Sequence, residues 1–439
     1  MLDTTYIRSN LQAVKLNCNN RNVHTDLDRL IQLDDQRRAI ISATQTAQMR
    51  ANELAKLTGK ERDTAVREKM IAEGKKLREE VAVKERELKG VEQDLKQILL
   101  TIPNMTHPDA PVGGTPEDNK VIKKWGEPRE FHFTPRDHVT LAETLDLVDF
   151  EAGASVTGQK FYFLKNEAAM LEMALVQYAM TTLVLEGFIP IITPDLARVE
   201  VLEGIGFMPR DPNPETRQVY TIADSDLCLV ATAEITLGGM HRNSILDEAR
   251  FPIKYAGLSH CFRTEAGAPG RDTKGLYRVH QFTKVEMFIY CSPEESDAIH
   301  GELLRIEEKL FQGLGLPYHV IDTCTGDLGG PAYRKYDIEA WMPCRGEVKN
   351  GVPTGAYGEV TSTSNCTDFQ ARRLEIRSKK SGQKGTRFAH TLNGTAVAVT
   401  RALVAILENY QQEDGSVEIP HVLRPWVGKD CITPKKVLH

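Results

Sequence analysis

Gly257-Leu258-Ser259-His260-Cys261-Phe262-Arg263-Thr264-Glu265-Ala266-Gly267 is the stretch on which the reading of this 439-residue chain turns. It reads as a strand bearing an arginine. A loop rich in turn residues follows, and then a returning strand that carries Phe282 and Glu286. Far downstream, Asn393-Gly394-Thr395 reads as the glycine-containing start of an apolar helix with Arg401 on it. A guanidinium is a planar fork of donors that grips phosphate or carboxylate in two places at once. A flat ring or a guanidinium plane is what a purine stacks on. The two stretches together supply both needs, so they predict one site for an anionic nucleotide.

Working outward, strands are expected at 254–258, 279–290, 318–323, 336–342 and 355–361, and helices at 166–186, 293–314 and 394–410. Strands clustered between helices, without regular alternation, favour an α+β fold with an antiparallel sheet flanked by helices. The helix at 166–186 stops at Gly187, before Phe188-Ile189-Pro190-Ile191-Ile192-Thr193-Pro194, a strand interrupted by prolines. The chain contains no G-x-x-x-x-G-K-[ST] and no G-x-G-x-x-G between a strand and a helix, so the two familiar glycine-fingerprint nucleotide folds are excluded.

Composition changes near residue 105. Before it, proline is absent until Pro103 and apolar residues recur in heptads: Leu33, Ile40, Ala47 and Leu54, then Met70, Leu77, Lys84, Val91 and Ile98 with Val81, Leu88 and Leu95 between them. This spacing lays one apolar stripe along each of two helices. A break at Thr58-Gly59 lets them fold back as an antiparallel coiled-coil hairpin of about 50 Å at 1.5 Å per residue. Lys84 in the seam and Gly74 beside it make the packing there imperfect. A short preceding helix with Ile7, Leu11 and Val14 on one face is expected at the hairpin's base. Periodicity alone leaves a dimerisation rod, a spacer and a nucleic-acid arm equally open. Residues 103–116 form a Pro/Gly linker that cannot continue a helix.

The net charge of −6 and pI near 6.1 argue against coating nucleic acid by bulk charge, but not against a local basic surface. Eight scattered cysteines with no Cys-x-x-Cys read as reduced thiols, and no zinc is expected. The N-terminus has neither a signal core nor transit-peptide character, and no long uninterrupted apolar run is present, so a cytoplasmic chain without a membrane span is expected.

The arginine strand and its return resemble motif 2 of class II aminoacyl-tRNA synthetases, and the Asn393–Arg401 region resembles motif 3. The helix and proline-bearing strand at 166–194 resemble motif 1, which in that class forms the dimer interface. Thr232-Ala233-Glu234, the quoted stretch, and Glu359-Val360-Thr361-Ser362 are similar to the seryl-tRNA synthetase family in particular. The resemblance implies serine activation by ATP and transfer to tRNA(Ser), with tRNA(Sec) as a further acceptor, by a homodimer. It also implies that the hairpin grips the tRNA. The expected domains are residues 1–105 (helical arm), 106–120 (linker), 121–426 (catalytic) and 427–439 (basic, disordered tail).

The resemblance carries roles onto particular residues. Arg263 would bridge the α-phosphate and the substrate carboxylate; taken alone, Arg263 and Glu265 would read as a surface ion pair. Thr264, Glu265, Val279 and Phe282 would surround the nucleotide, with Phe282 stacked on the base and Arg401 on its other face, reaching the γ-phosphate. Glu359, Val360, Thr361 and Ser362 would line the ATP site, and Glu359 and Ser362 offer the hard oxygens that suit Mg²⁺. Arg263, Glu359 and Arg401 form the catalytic set. Thr232, Ala233 and Glu234 would receive the α-ammonium, while Glu286 and Thr395 receive the hydroxyl. Thr395 departs from the family pattern, where serine commonly stands, and adds a methyl near the substrate. Arg271 and Lys274, in the loop between the motif 2 strands, would follow ATP and then the tRNA acceptor end. Two rival readings use the same residues: an amino-acid ligase charging a carrier protein, and a non-catalytic RNA-binding relative.

Overall fold

Three of the four N-terminal helices begin at an aspartate whose side chain accepts from otherwise bare backbone N–H groups. The structure is a computed structural model describing residues 1–208, 217–266, 275–349 and 351–434. It comprises two compact units, Met1–Met105 and Thr106–His439. In the first unit, α1 (Thr4–Ser9) and α2 (Leu11–Asn20) stand where a single short helix was expected. The break falls at Asn10, whose side-chain amide donates to the Tyr6 carbonyl at 3.0 Å and so competes with the helical ladder. Ile7 and Val14 are nevertheless buried, as their spacing requires.

The heptads become α3 (Leu27–Thr58) and α4 (Thr64–Thr101). The Asp26 carboxylate caps α3 through Arg29 N–H, and Asp63 caps α4 through Ala65 and Val66 N–H. Thr25 meets Thr101, Gln36 meets Glu87 and Arg50 meets Glu73, so the helices run antiparallel. Leu33, Ile40, Ala47 and Leu54 are all buried, as are Val81, Val91 and Leu95. Lys84 remains half-buried in the seam, its ammonium 3.9 Å from Glu80. Buried Asp34 gathers Arg8, Arg37 and Arg38, which ties α1 to α3.

The second unit is built on an eight-stranded sheet. Its strands are β1 (Lys120–Trp125), β2 (Ile189–Ile192), β3 (Ile253–Phe262), β4 (Gln281–Cys291), β5 (Tyr318–Asp322), β6 (Arg334–Met342), β7 (Ala356–Thr367) and β8 (His390–Ala398). Their order is β1-β5-β6-β7-β8-β4-β3-β2, with every pairing antiparallel except β2 with β3. Helices α5 (Asn166–Leu185), α7 (Ser296–Gly313) and α9 (Val399–Tyr410) supply the main core with the sheet; α6 (Ala233–Gly239) and α8 (Phe369–Leu374) belong to a second cluster. Strand β4 shows how the layers separate. Val285, Met287, Ile289 and Cys291 enter the main core, while Phe282, Lys284 and Glu286 line a cavity on the opposite face.

Two expectations need correction, and a third gains detail. Asn393, Gly394 and Thr395 do not start a helix: they lie in β8, and α9 begins only at Val399. Three poor helix formers in succession suit an extended chain, and β8 pairs on both sides, with β7 and β4. The tail is ordered as far as Cys431–Ile432, which pairs with Val417–Glu418 and buries Ile432; residues 435–439 lie outside the described residues. The linker is extended but held to its unit: His107 N–H donates to the Tyr333 carbonyl at 2.8 Å, and Thr325 N–H to that of Pro111 at 2.9 Å.

Candidate active site

A cavity of about 390 Å³ opens in the second unit over the middle of the sheet. The close approach of α6 to β3 forms one wall. A Cβ on Gly257 would stand 2.7 Å from Leu237 and 3.0 Å from Ala233, so the helix seats on bare backbone. Thr232 caps α6 by accepting from Glu234 N–H at 3.2 Å, and Glu234 then reaches into the cavity. One oxygen of Glu234 accepts from Gln370 at 2.7 Å and from Asn393 at 2.9 Å. Gln370 is itself oriented by Thr391, which donates to its carbonyl at 2.7 Å. Burial, and then the neighbouring Glu286, raise Glu234 to about 7.

Glu286 lies opposite Gly257 on one flank and Thr395 on the other. Its carboxylate is 2% exposed, paired directly with Lys284 and 3.4 Å from the Thr395 hydroxyl. Cys366, Asn393 and Thr395 complete this end of the cavity.

At the other end, Arg263 lies 5.3 Å from the centre of the Phe282 ring, and its Nε donates to the Ala231 carbonyl at 3.4 Å. Arg263 does not pair with Glu265; Arg278 takes that partner at 3.2 Å, so the surface ion-pair reading does not hold. Val279 and Glu265 also line the cavity. Thr264 is not among its lining residues, and its hydroxyl donates to the Arg217 carbonyl. Ala233 is fully buried as packing.

A register shift near Val360 decides the third wall. Glu359 pairs with Glu339 but Thr361 pairs with Ile338, so Val360 is an extra residue in β7. This bulge lets Glu359 and Ser362, three apart, both line the cavity. Thr361 turns its hydroxyl to Glu307 at 2.8 Å. Arg401 reaches back from α9, 2.9 Å from the Glu359 carboxylate and 3.2 Å from its carbonyl. The guanidinium groups of Arg401 and Arg345 lie 5.0 and 4.3 Å from the Tyr277 ring centre, and the Tyr277 hydroxyl donates to the Glu359 carbonyl at 2.9 Å. Its surroundings disfavour charge on Glu359, although the side chain stays 42% exposed, but Arg401 and Lys335 outweigh this and keep the carboxylate ionised. Burial lifts Asp337 in the opposite direction, with Lys335 2.9 Å away opposing it.

Lys284, Lys335 and Tyr277 were therefore missed as cavity residues, and Asn393 was placed in the site without a role of its own. Lys284 had a signal: it alternates between Phe282 and Glu286 on one strand. Lys335 and Tyr277 come from segments that sequence order does not bring together. Arg271 and Lys274 lie outside the described residues. Among the described residues there is no cluster of three or more His, Cys, Asp or Glu placed to hold a metal. Glu359 and the Ser362 hydroxyl nonetheless fit Mg²⁺, which takes one or two protein oxygens and completes its shell with water and phosphate.

Beneath the cavity, Gly394 allows β8 to pass over Glu307. A Cβ there would stand 2.9 Å from Glu307 Oε1 and 3.0 Å from Thr363 Oγ1. Glu307 is fully buried, and burial raises it well above the carboxylate range, so it sits neutral. Gly394→Ala is expected to cost about 1–3 kcal/mol by overpacking. Urea unfolding of the variant with an unchanged midpoint would contradict this contact.

Two family descriptions match the chain. Seryl-tRNA synthetase N-terminal domain covers residues 1–106, and tRNA synthetase class II core domain (G, H, P, S and T) covers residues 220–410. The serine--tRNA ligase of Treponema denticola is 53% identical over 98% of this chain and 100% of its own. That of Rubrobacter xylanophilus is 53% identical over 99% of this chain and 100% of its own. Among solved structures, seryl-tRNA synthetase from Pyrococcus horikoshii, complexed with ATP, superposes with a TM-score of 0.88 at 39% identity, over 99% of this chain and all of that one. Likeness over the whole length, arm and catalytic unit together, leaves no missing part for a carrier-protein ligase reading to explain. The chain belongs to the seryl-tRNA synthetase family of class II aminoacyl-tRNA synthetases, the serine--tRNA ligases.

Proposed function

We propose that this cavity activates L-serine with ATP and that the same unit passes it to tRNA(Ser), with the residue roles that follow. The observation that carries the reading is the pair of buried carboxylates at one end of the cavity, Glu234 and Glu286, set against guanidinium groups and an aromatic ring at the other. Serine presents an ammonium and a hydroxyl to the acids and its carboxylate to Arg263. Adenine stacks on Phe282, and the triphosphate lies toward Arg401. Joining the carboxylate to the α-phosphate and expelling pyrophosphate asks for alignment and charge neutralisation rather than a protein nucleophile. Arg263 holds the two negative reactants together while the new C–O–P bond forms. Glu359 and Ser362 would hold Mg²⁺, which supplies further neutralisation of phosphate charge when bound.

The N-terminal hairpin is assigned to tRNA because the family's N-terminal domain matches it. The assignment of a homodimer rests on motif 1 and on exposed apolar side chains there. Leu185 at the end of α5 and Ile192 in β2 are 80% and 81% exposed, an unusual display for large side chains. Sedimentation is expected to give twice the 49.1 kDa chain mass, and Ile192→Glu is expected to shift it to the single chain. A wild-type chain that sediments at the single mass would remove this assignment.

Charging of total tRNA with labelled serine, alanine and threonine tests the function directly. Serine alone should be transferred, only with ATP, and chelation of Mg²⁺ should stop it. Pyrophosphate exchange without label on tRNA would instead favour the carrier-protein ligase. Glu286→Ala should lower serine kcat/KM by about 10³-fold or more, because a buried site built around a hydroxyl loses its contact. Protection by ATP against thermal unfolding should persist in that variant. Equal loss of both would contradict the role of Glu286.

Glu234 generates a pH dependence. Below its pKa of about 7 the carboxyl holds a proton that the serine ammonium must displace, and above it the ionised form is ready. Serine KM should therefore fall as pH rises from about 6 to about 8 and then level off. A KM that is flat across this window would overturn the assignment of Glu234 to the ammonium.

A further inference from the structure

Two carboxylates share the serine end of the cavity, and one cation is paired with one of them. Lys284 and Glu286 are neighbours on the same face of β4, two residues apart, with side chains 7% and 2% exposed. Lys284 and the Thr395 hydroxyl both engage Oε2 of Glu286. Their convergence leaves Oε1 as the oxygen presented to a substrate. Glu234 has a different support: amide donors from Gln370 and Asn393, with no lysine in direct contact.

We propose that Lys284 is a positioning residue that sets the preference for a hydroxylated amino acid, by holding Glu286 as a fixed, charged hydrogen-bond acceptor. The proposal rests on the reading above in which Glu286 receives the serine hydroxyl. A buried carboxylate without a counter-charge takes up a proton, and a carboxylic acid both donates and accepts. Such a group no longer demands a donor from the substrate. A carboxylate pinned by an ammonium on one oxygen does demand one on the other, and alanine cannot provide it.

The raised proton affinity of Glu234 agrees with this division. Glu286 is one of its causes, which places the two acids within electrostatic reach. The acid without the lysine is the one that holds its proton near neutrality, and it meets a substrate group, the ammonium, that brings its own compensating charge. The hydroxyl carries no charge, so the acid that reads it needs a cation supplied by the protein. Lys284 is that cation. A lysine kept only to neutralise a core acid would have no reason to line the substrate cavity, where Lys284 is found.

The test is the ratio of serine to alanine kcat/KM in pyrophosphate exchange, measured on the full chain for wild type, Lys284→Met, Lys284→Gln, Lys284→Arg and Glu286→Gln. Lys284→Met and Lys284→Gln should each lower the ratio by about ten-fold, the difference between a charged and a neutral hydrogen bond. KM for ATP should be unchanged. Lys284→Arg keeps the charge and should restore the ratio to within about three-fold of wild type. A lysine that serves only stability would lower the melting temperature and leave the ratio alone, which would overturn the proposal. Equal loss of serine and alanine activation in Lys284→Met would also overturn it, because Lys284 would then act on a group common to both substrates. Glu286→Gln separates the two levels. If it leaves the ratio intact, the hydroxyl-reading role of Glu286 fails; if it collapses the ratio and the lysine variants do not, only the role of Lys284 fails.

Discussion

Charge buried at the middle of a sheet has to be answered by charge, and this requirement governs the catalytic unit. The Lys284–Glu286 pair, with side chains 7% and 2% exposed, is its clearest expression. Either group alone would be costly in the cleft, since removing a charge from water is repaid only by a well-placed partner. At the more open wall Arg401 and Glu359, 19% and 42% exposed, tie α9 to β7, and Tyr277 completes the joint through the Glu359 carbonyl and its ring against Arg401. The pair occupies the wall where the nucleotide's phosphates are proposed to lie. An incoming anion would compete with Glu359 for Arg401, which the carboxylate and the Tyr277 ring already hold in place.

The same rule explains why the acids of the cavity differ. Glu359 is ionised because arginine and lysine outweigh its burial. Glu307 has no cation in contact and is neutral. Glu234 lies between, raised to about 7. Three carboxyl groups, on one strand and two helices, thus have distinct states, set by burial and by the cations within reach rather than by residue type.

What could be read beforehand follows from whether a signal was local. The arm was legible because coiled-coil packing repeats every seven residues, and Leu33, Ile40, Ala47 and Leu54 are buried as the repeat demands. The motif 2 strands were legible because they are consecutive hairpin partners, although their ends moved by a few residues. Asn393–Thr395 misled because glycine beside an apolar helix looks like a helix start, whereas burial between β7 and β4 holds it extended. The positions of Lys335 and Tyr277 depend on strand order, which no local pattern encodes. The bulge at Val360 is equally silent, yet without it Glu359 and Ser362 would point to opposite faces. Lys284 was readable from strand alternation alone.

The strand order also bears on when the site comes into being. Strand β8 (His390–Ala398) enters the sheet between β7 (Ala356–Thr367) and the much earlier β4 (Gln281–Cys291). It brings Asn393 to Glu234 and Thr395 to Glu286, and α9 follows it with Arg401. Contacts between segments so distant along the chain form late, because loop closure must come first. On a ribosome, α3 and α4 find each other within the first hundred or so residues, and the hairpin can form while the rest is still being made. The cavity lacks Asn393, Thr395 and Arg401 until almost the whole polypeptide has emerged. Incomplete chains therefore lack the means to sequester serine or ATP, and recognition begins only when the chain has closed its sheet.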